Sequence, residues 1–261
     1  MNYFAALMMH LPLYQLLLLT FFLASGICQG LQAQVAKKIS TYSQSWLCYN
    51  GQERFGRKWG SWLDIQLYSK DKMLHWPATL EVRPGLVYYH TDDIRYAAGY
   101  AFINNYPVEG GNSISHPEHR AWQQVQWFTR YKKARTMQWV RLEERFVRKL
   151  ATPDSLAGDY NYTWRARYNI LLIIPLRQGK DLLSKFSFCL NNELFVNFGK
   201  NVVNNYFDQN RFFIGGAFQT SARDNLQVGY MNIFQQLPAG SSYRKTEVLR
   251  VSYFHNLDFR Q

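Results

Sequence analysis

Charged residues are missing from the first 34 positions of the chain, although the whole sequence has 30 Lys and Arg and 18 Asp and Glu. Within this uncharged stretch, Leu11–Leu23 is a compact apolar core that is followed by small and amide residues. Such a core is typical of a secretory signal peptide, and it is short for a spanning helix of roughly 20 residues. We predict that residues 1–33 are a signal peptide cleaved after Ala33, so that the mature chain is exported.

Cysteine is also scarce, because the chain has three and the loss of the predicted signal peptide leaves Cys48 and Cys189. Two cysteines so far apart in sequence provide no disulfide framework, and we predict that both are free thiols. The chain also lacks a zinc-ligand spacing, a phosphate-binding glycine loop and a paired Ser-His-Asp arrangement. We therefore predict neither a metal nor a cofactor.

Beyond the leader, no apolar run is long enough to span a membrane as a helix. The formal charge is +12, but Lys and Arg are dispersed through the chain rather than gathered in a run, so we expect no nucleic-acid partner. Aromatic residues make up 17% of the sequence. Aromatic-rich strands without apolar helices are typical of outer-membrane barrels, whose aromatic girdles lie at the two lipid–water interfaces.

From Trp59 onward, apolar residues alternate with charged or amide residues, as in Leu80-Glu81-Val82-Arg83. This period of two places apolar side chains on one face of a strand and polar ones on the other. A membrane barrel turns the apolar face to lipid, whereas a secreted β-sandwich turns it inward, and the period alone fits both. The predicted strands lie near 59–68, 78–89, 94–104, 117–130, 135–148, 161–176, 184–197, 206–219, 225–236 and 245–259, with a further one near 41–49.

The connections between these strands alternate in length. Short polar links lie at 90–93, 131–134, 177–181 and 221–224, and longer connections at 105–116, 149–160, 199–205 and 237–244. Bacterial barrels have short periplasmic turns and longer outer loops. The alternation therefore favours an all-β fold in which residues 59–261 form an antiparallel transmembrane barrel of ten strands. Residues 34–58 would be a periplasmic or lumenal N-terminal segment, or would supply one of two more strands that make twelve.

Strand parity assigns the ionic residues to the lumen. The predicted lumen network comprises Glu81, Arg83, Arg95, Glu118, Arg120, Gln124, Arg141, Glu143, Arg145, Arg165, Arg167, Glu193, Gln209 and Arg211. The predicted lipid-facing residues include Val140, Leu142, Ala166, Tyr168, Ile170 and Leu172. Paired arginines and carboxylates would fill the barrel as a core, which predicts a structural or ligand-binding protein. The excess of arginine alternatively predicts a narrow anion-preferring channel, or capture of an anionic solute or a lipid phosphate.

An enzyme is the less favoured class. Ser115, His116 and His119 lie where a predicted outer loop enters a strand, and barrel hydrolases and acyltransferases place Ser or His near the rim. A histidine beside a carboxylate could act in acid–base catalysis. However, Glu118 and His119 are adjacent in a strand and therefore point to opposite faces. These three residues are the weak catalytic candidates of the sequence.

The motifs and their order also resemble a known family. The residues that carry the resemblance are Trp59, Arg83-Pro84-Gly85-Leu86-Val87-Tyr88, Gly99-Tyr100, Glu118-His119-Arg120 with Trp122 and Gln124, Arg141-Leu142-Glu143 with Arg145, Arg165 with Arg167-Tyr168, Gln209-Asn210-Arg211 and Gly229-Tyr230. Together they resemble domain of unknown function 2490 (DUF2490). The resemblance implies an exported bacterial protein that forms a barrel in the outer membrane, with membrane lipid as its partner. It implies no activity and no catalytic residue.

Overall fold

The computed structural model describes residues 37–107, 113–179 and 181–260, and the predicted signal peptide lies outside them. In these residues, eleven strands close into a barrel in which each strand pairs with its neighbours in sequence. The strands are β1 Lys38–Arg54, β2 Trp59–Tyr68, β3 Thr79–Tyr89, β4 Ile94–Asn105, β5 His116–Arg130, β6 Arg135–Thr152, β7 Ser155–Pro175, β8 Phe186–Phe198, β9 Phe207–Gln219, β10 Asp224–Gln236 and β11 Ser242–Asp258. One turn of 3-10 helix, Leu182–Lys185, precedes β8.

Strand β1 closes the barrel, and it corrects the predicted strand count. It pairs antiparallel with β2 and parallel with β11, from Lys38 opposite Ser242 to Arg54 opposite Asp258. The other neighbouring strands that the structure describes pair antiparallel. An odd number of alternating strands must close on one parallel pair. The predicted even count of ten or twelve is therefore wrong for the described residues, because β1 is a single strand of the wall.

The connections fall at two ends of the barrel. Links 55–58, 90–93, 131–134 and 220–223 and the described residues between β7 and β8 lie at one end, here called the short-link end. The opposite end of the barrel is called the loop end. The predicted long connection at 149–160 is wrong, because β6 runs to Thr152 and β7 starts at Ser155. The polar residues there continue the ladder as a hairpin with two register shifts, so their polarity indicated exposure rather than a loop.

The two faces of the wall differ as the two-residue period predicts. Arg141 is 2% exposed, whereas its neighbour Val140 is 46% exposed on the outside. Along β7, Arg165 and Arg167 are buried while Ala166 and Tyr168 lie on the outer face. The exposed aliphatic side chains on strands include Leu47, Leu63, Ile65, Leu86, Val125, Val140, Val196, Ile214, Val228 and Leu249. No helix of the described residues is long and apolar enough to cross a membrane.

The inside of the barrel is not ionic throughout. Leu171 and Ile173 continue the inward parity of Arg165 and Arg167, and they pack with Phe213 and other apolar residues into a buried cluster. The predicted lumen face contains only polar residues, because the run from Ile170 to Ile174 is apolar on both parities and marks neither face. Cys189 belongs to this cluster and Cys48 packs against it, and both are free thiols. A second cluster contains Val87, Tyr89, Ala97, Ala101, Ile103 and Trp122.

Candidate functional site in the barrel lumen

Glu143 is the centre of the charged part of the lumen. Its side chain is 1% exposed, and its carboxylate accepts hydrogen bonds from Arg165 Nε at 2.9 Å and Arg167 Nη1 at 2.6 Å. Arg165 lies directly opposite Glu143 in the β6–β7 ladder, which explains the first contact. Arg120 Nη1 and Arg141 Nη1 approach the same carboxylate at 3.9 and 4.0 Å. Four arginines from three neighbouring strands of the described barrel therefore converge on one buried carboxylate.

The ion pairs continue from Glu143 toward β8 and β9. Arg167 Nε donates to Glu193 Oε1 at 2.7 Å, and Arg165 Nη1 donates to Asp208 Oδ2 at 3.1 Å. Asp208 was not predicted to face the lumen, because its neighbours Gln209 and Arg211 have the opposite parity. A register shift between β8 and β9 at this point turns Asp208 inward as well. Bulges commonly re-aim a side chain in this way, and nothing in the sequence alternation indicates this one.

On the other side of Glu143, Arg120 and Arg145 share Glu118. These two arginines lie directly opposite each other on β5 and β6, and the Nε atom of each donates to Glu118 Oε1 at 2.6 Å. Arg120 also approaches Glu81 at 3.8 Å. The carboxylate of Glu118 thus offsets the repulsion that the opposed Arg120 and Arg145 would otherwise produce.

The remaining ion pairs of the lumen lie on β2 and β3, where Arg83 donates to Asp64 Oδ2 at 2.9 Å and also to Glu81. Between β6 and β5, Arg141 Nε donates to the neutral Gln124 Oε1 at 2.8 Å. We call the whole set the ion-pair network. Within the described residues its members are Arg83, Arg120, Arg141, Arg145, Arg165, Arg167, Asp64, Glu81, Glu118, Glu143, Glu193 and Asp208. Buried charges are stable in a fold when they are paired and hydrogen-bonded, as these are.

Three further lumen arginines, Arg95, Arg211 and Arg250, have a different environment. In the described part of the chain, the Nε atom of each is buried without a hydrogen-bond partner. Each guanidinium lies over aromatic rings: Arg95 over Phe128 at 4.6 Å, Arg211 over Phe195 at 4.5 Å and Arg250 over Phe213 at 3.7 Å. Arg95 also donates from Nη1 to Gln52 Oε1 at 2.6 Å. The predicted lumen network does not include Arg250, although the apolar Leu249 and Val251 on either side of it show the alternation that assigns it to the lumen.

A cavity of about 430 Å³ lies among these arginines, and its walls include the parts of β1, β5 and β11 nearest the short-link end. Amide side chains line much of it, among them Gln52, Gln126, Asn169 and Gln227. Its charged lining in the described residues consists of Arg83, Arg95, Arg135, Arg141, Arg167, Arg211, Arg250, Asp64 and Glu193. Both carboxylates are already paired within the ion-pair network, so the cavity is strongly positive.

The weak catalytic candidates are not brought together. His119 lies on the outer face, where Tyr100 hydrogen-bonds its Nδ1 and the rings of Phe102 and Tyr160 lie beside it. His116 begins β5 and has the inward parity of Glu118, so the wall separates the two histidines. Ser115 lies in the connection before β5. Among the residues described, no group of three or more His, Cys, Asp or Glu could hold a metal ion.

Comparison with known proteins identifies a family. The model of the family described as "Protein of unknown function (DUF2490)" matches residues 43–244. No curated protein sequence matches the chain. A solved structure described as "NanC porin structure in rhombohedral crystal form" is similar to this chain at 9% sequence identity, over 73% of this chain and 86% of that one, with a TM-score of 0.44.

Proposed function

The chain belongs to the DUF2490 family, and we propose that it is an outer-membrane barrel whose lumen is filled by ion pairs and binds a ligand rather than conducting ions freely. The outer face supports the membrane part of the proposal. Soluble monomers rarely expose a contiguous apolar patch larger than a few hundred Å². Here aliphatic side chains such as Val125, Val140 and Ile214 are at least 40% exposed on strands around the wall.

The pairing of polar side chains with one another on the outer face also supports contact with lipid. Asn192 and Asn210 donate to each other's carbonyl oxygens at 3.2 and 3.1 Å, and Tyr168 Oη donates to Gln138 Oε1 at 2.6 Å. Water would satisfy such groups without a partner, whereas a hydrocarbon layer makes each unpaired polar group costly. Mutual pairing is therefore the arrangement that a lipid-facing wall requires.

The observation that carries the lumen part of the proposal is the convergence of arginines on Glu143. For eleven strands, spaced about 4.8 Å apart and tilted about 40°, the backbone diameter is roughly 22 Å. Inward side chains reduce the free width to around half of that, and arginines from opposite walls nearly bridge it. A cross-linked layer of arginines and carboxylates in so narrow a space leaves no wide path for solute.

Conductance tests this proposal against the channel alternative. Purified protein reconstituted in planar bilayers should give no steady current, because the ion-pair network crosses the lumen. Insertion is verified independently by heat-modifiable migration of the same sample. Regular anion-preferring current steps from correctly folded protein would contradict the filled lumen and favour the channel.

The enzyme alternative predicts release of labelled lipid products from the same vesicles. We expect release to stay at the background of empty vesicles, because His116 and His119 lie on opposite sides of the wall. Replacement of either histidine by alanine should leave that background unchanged. Product release that disappears in His119→Ala would instead indicate a catalytic site on the outer face.

A further inference from the structure

We propose that the cavity near the short-link end binds a small organic anion that carries a carboxylate or phosphate group on a hydroxyl-bearing body. This inference deepens the proposed ligand-binding function and rests on it. The cavity volume of about 430 Å³ lies within the range of small-molecule sites, roughly 300–1,000 Å³. Nothing in the ion-pair network itself requires such a space, because its members contact one another directly.

The charge of the cavity indicates the sign of the ligand. Asp64 and Glu193 are the carboxylates among its described lining residues, and they are paired with Arg83 and Arg167. Glu193 lies opposite Arg211 in the β8–β9 ladder, but its carboxylate is bonded to Arg167, and no carboxylate of the described residues forms an ion pair with Arg211 or Arg250. Positive charge is therefore in excess at this part of the cavity. A buried charge without a counter-charge is costly, and an anion between these side chains would offset that cost.

The aromatic rings beside the guanidinium groups indicate which anions fit. Phe213 lies 3.7 Å from the Arg250 guanidinium carbon and Phe195 lies 4.5 Å from that of Arg211, measured to the ring centroids. Trp46 lies on Arg211 as well, at 4.9 Å. Rings that lie over the faces of a guanidinium leave its N–H edge available for hydrogen bonding. That edge matches the paired oxygens of a carboxylate or phosphate better than it matches a monatomic anion.

Buried amide side chains indicate what the rest of the ligand carries. Asn169 and Gln227 are each 4% exposed and line the cavity, and their side-chain carbonyl oxygens have no partner among the described residues. Arg141, which is 2% exposed, has an Nη1 atom without a hydrogen bond in the same part of the structure. Buried polar groups normally have partners. Free carbonyl oxygens accept from hydroxyl groups, so the ligand body should carry hydroxyls.

Isothermal titration of the purified barrel in detergent tests the inference with four probes. Gluconate and glucose 6-phosphate carry both features, whereas inorganic phosphate and glucose carry one each. We expect gluconate or glucose 6-phosphate to bind at least tenfold more tightly than glucose or inorganic phosphate. Which of the two binds more tightly identifies the preferred anionic group.

Variants locate the binding. Arg250→Gln and Arg211→Gln should each weaken the binding of the better probe about tenfold or more, and Arg250→Lys should weaken it less. The control is Arg177→Gln, because Arg177 pairs with Asp181 on the exposed link before β8 and should not affect binding. Heat-modifiable migration verifies that each variant folds. If Arg250→Gln does not fold, the single variants Arg250→Lys and Arg211→Gln still test the inference.

Two results would overturn the inference. One is that none of the four probes binds to folded protein, and the other is that binding is unaffected by substitution of Arg211 and Arg250. Neither result contradicts the proposed membrane barrel with a filled lumen, because membrane insertion and the absence of conductance are measured without a ligand. A steady current would instead contradict the filled lumen, whatever the titration shows.

Discussion

Replacing Glu143 by glutamine should destabilise the barrel by about 3–5 kcal/mol, the cost of removing one partner from a buried ion pair. Its carboxylate accepts from Arg165 and Arg167, and Arg120 and Arg141 lie within 4.0 Å of it. The amide of glutamine keeps the shape of the side chain but leaves the surrounding arginines without their shared counter-charge. Unfolding of the protein in lipid vesicles by urea, followed by the loss of heat-modifiable migration, measures the change.

The matched control is Glu144→Gln, one position along β6. Glu144 has the opposite parity, and it accepts a hydrogen bond from Tyr162 Oη at 3.0 Å on the outer face. A glutamine there can accept the same bond, so the expected loss is about 1 kcal/mol or less. Equal losses for Glu143→Gln and Glu144→Gln would contradict a special role for the lumen network.

Introducing arginine on the outer face should have a comparably large effect. Val140 is 46% exposed and lies opposite Val125 and Tyr168 in the apolar part of the wall. An arginine that faces lipid near the midplane of a bilayer costs roughly 2–4 kcal/mol, whereas one that faces water costs almost nothing. We expect Val140→Arg to lower the free energy of unfolding in vesicles by about that amount.

Thr220→Arg provides the reference for this measurement. Thr220 is exposed and begins the link 220–223 at the short-link end, where an added charge should change stability by less than about 0.5 kcal/mol. If Val140→Arg is as harmless as Thr220→Arg, the outer face is in contact with water and the secreted soluble fold becomes the better account.

The wall of the barrel could largely be predicted from sequence, including a strand near 41–49, but the place of that strand, β1, in the wall could not. In most strands an ionic residue on one parity marks the lumen face, as Arg165 and Arg167 do on β7. Along β1 the inward residues are instead Trp46, Cys48 and Asn50, which differ little in polarity from their neighbours. With no charge to mark one face, the alternation is weak and the place of β1 in the barrel cannot be inferred.

For the lumen, strand parity predicts which side chains point inward, but it does not predict which of them form ion pairs. Parity determines which arginines lie inside, and it would have included Arg250 between Leu249 and Val251. It does not determine partners, because these depend on the register between strands: Arg120 lies opposite Arg145, and only the position of Glu118 makes that pair favourable. The inward turn of Asp208 depends on a bulge, which has no counterpart in the residue pattern.

The central claim is that the barrel lies in an outer membrane with its apolar face in lipid, and fractionation of bacterial cells that express the full chain tests it most directly. We expect the mature protein in the outer-membrane fraction, extractable by detergent only, with an electrophoretic mobility that changes on boiling. A mature protein recovered from the soluble periplasm, with the same mobility before and after boiling, would contradict the claim.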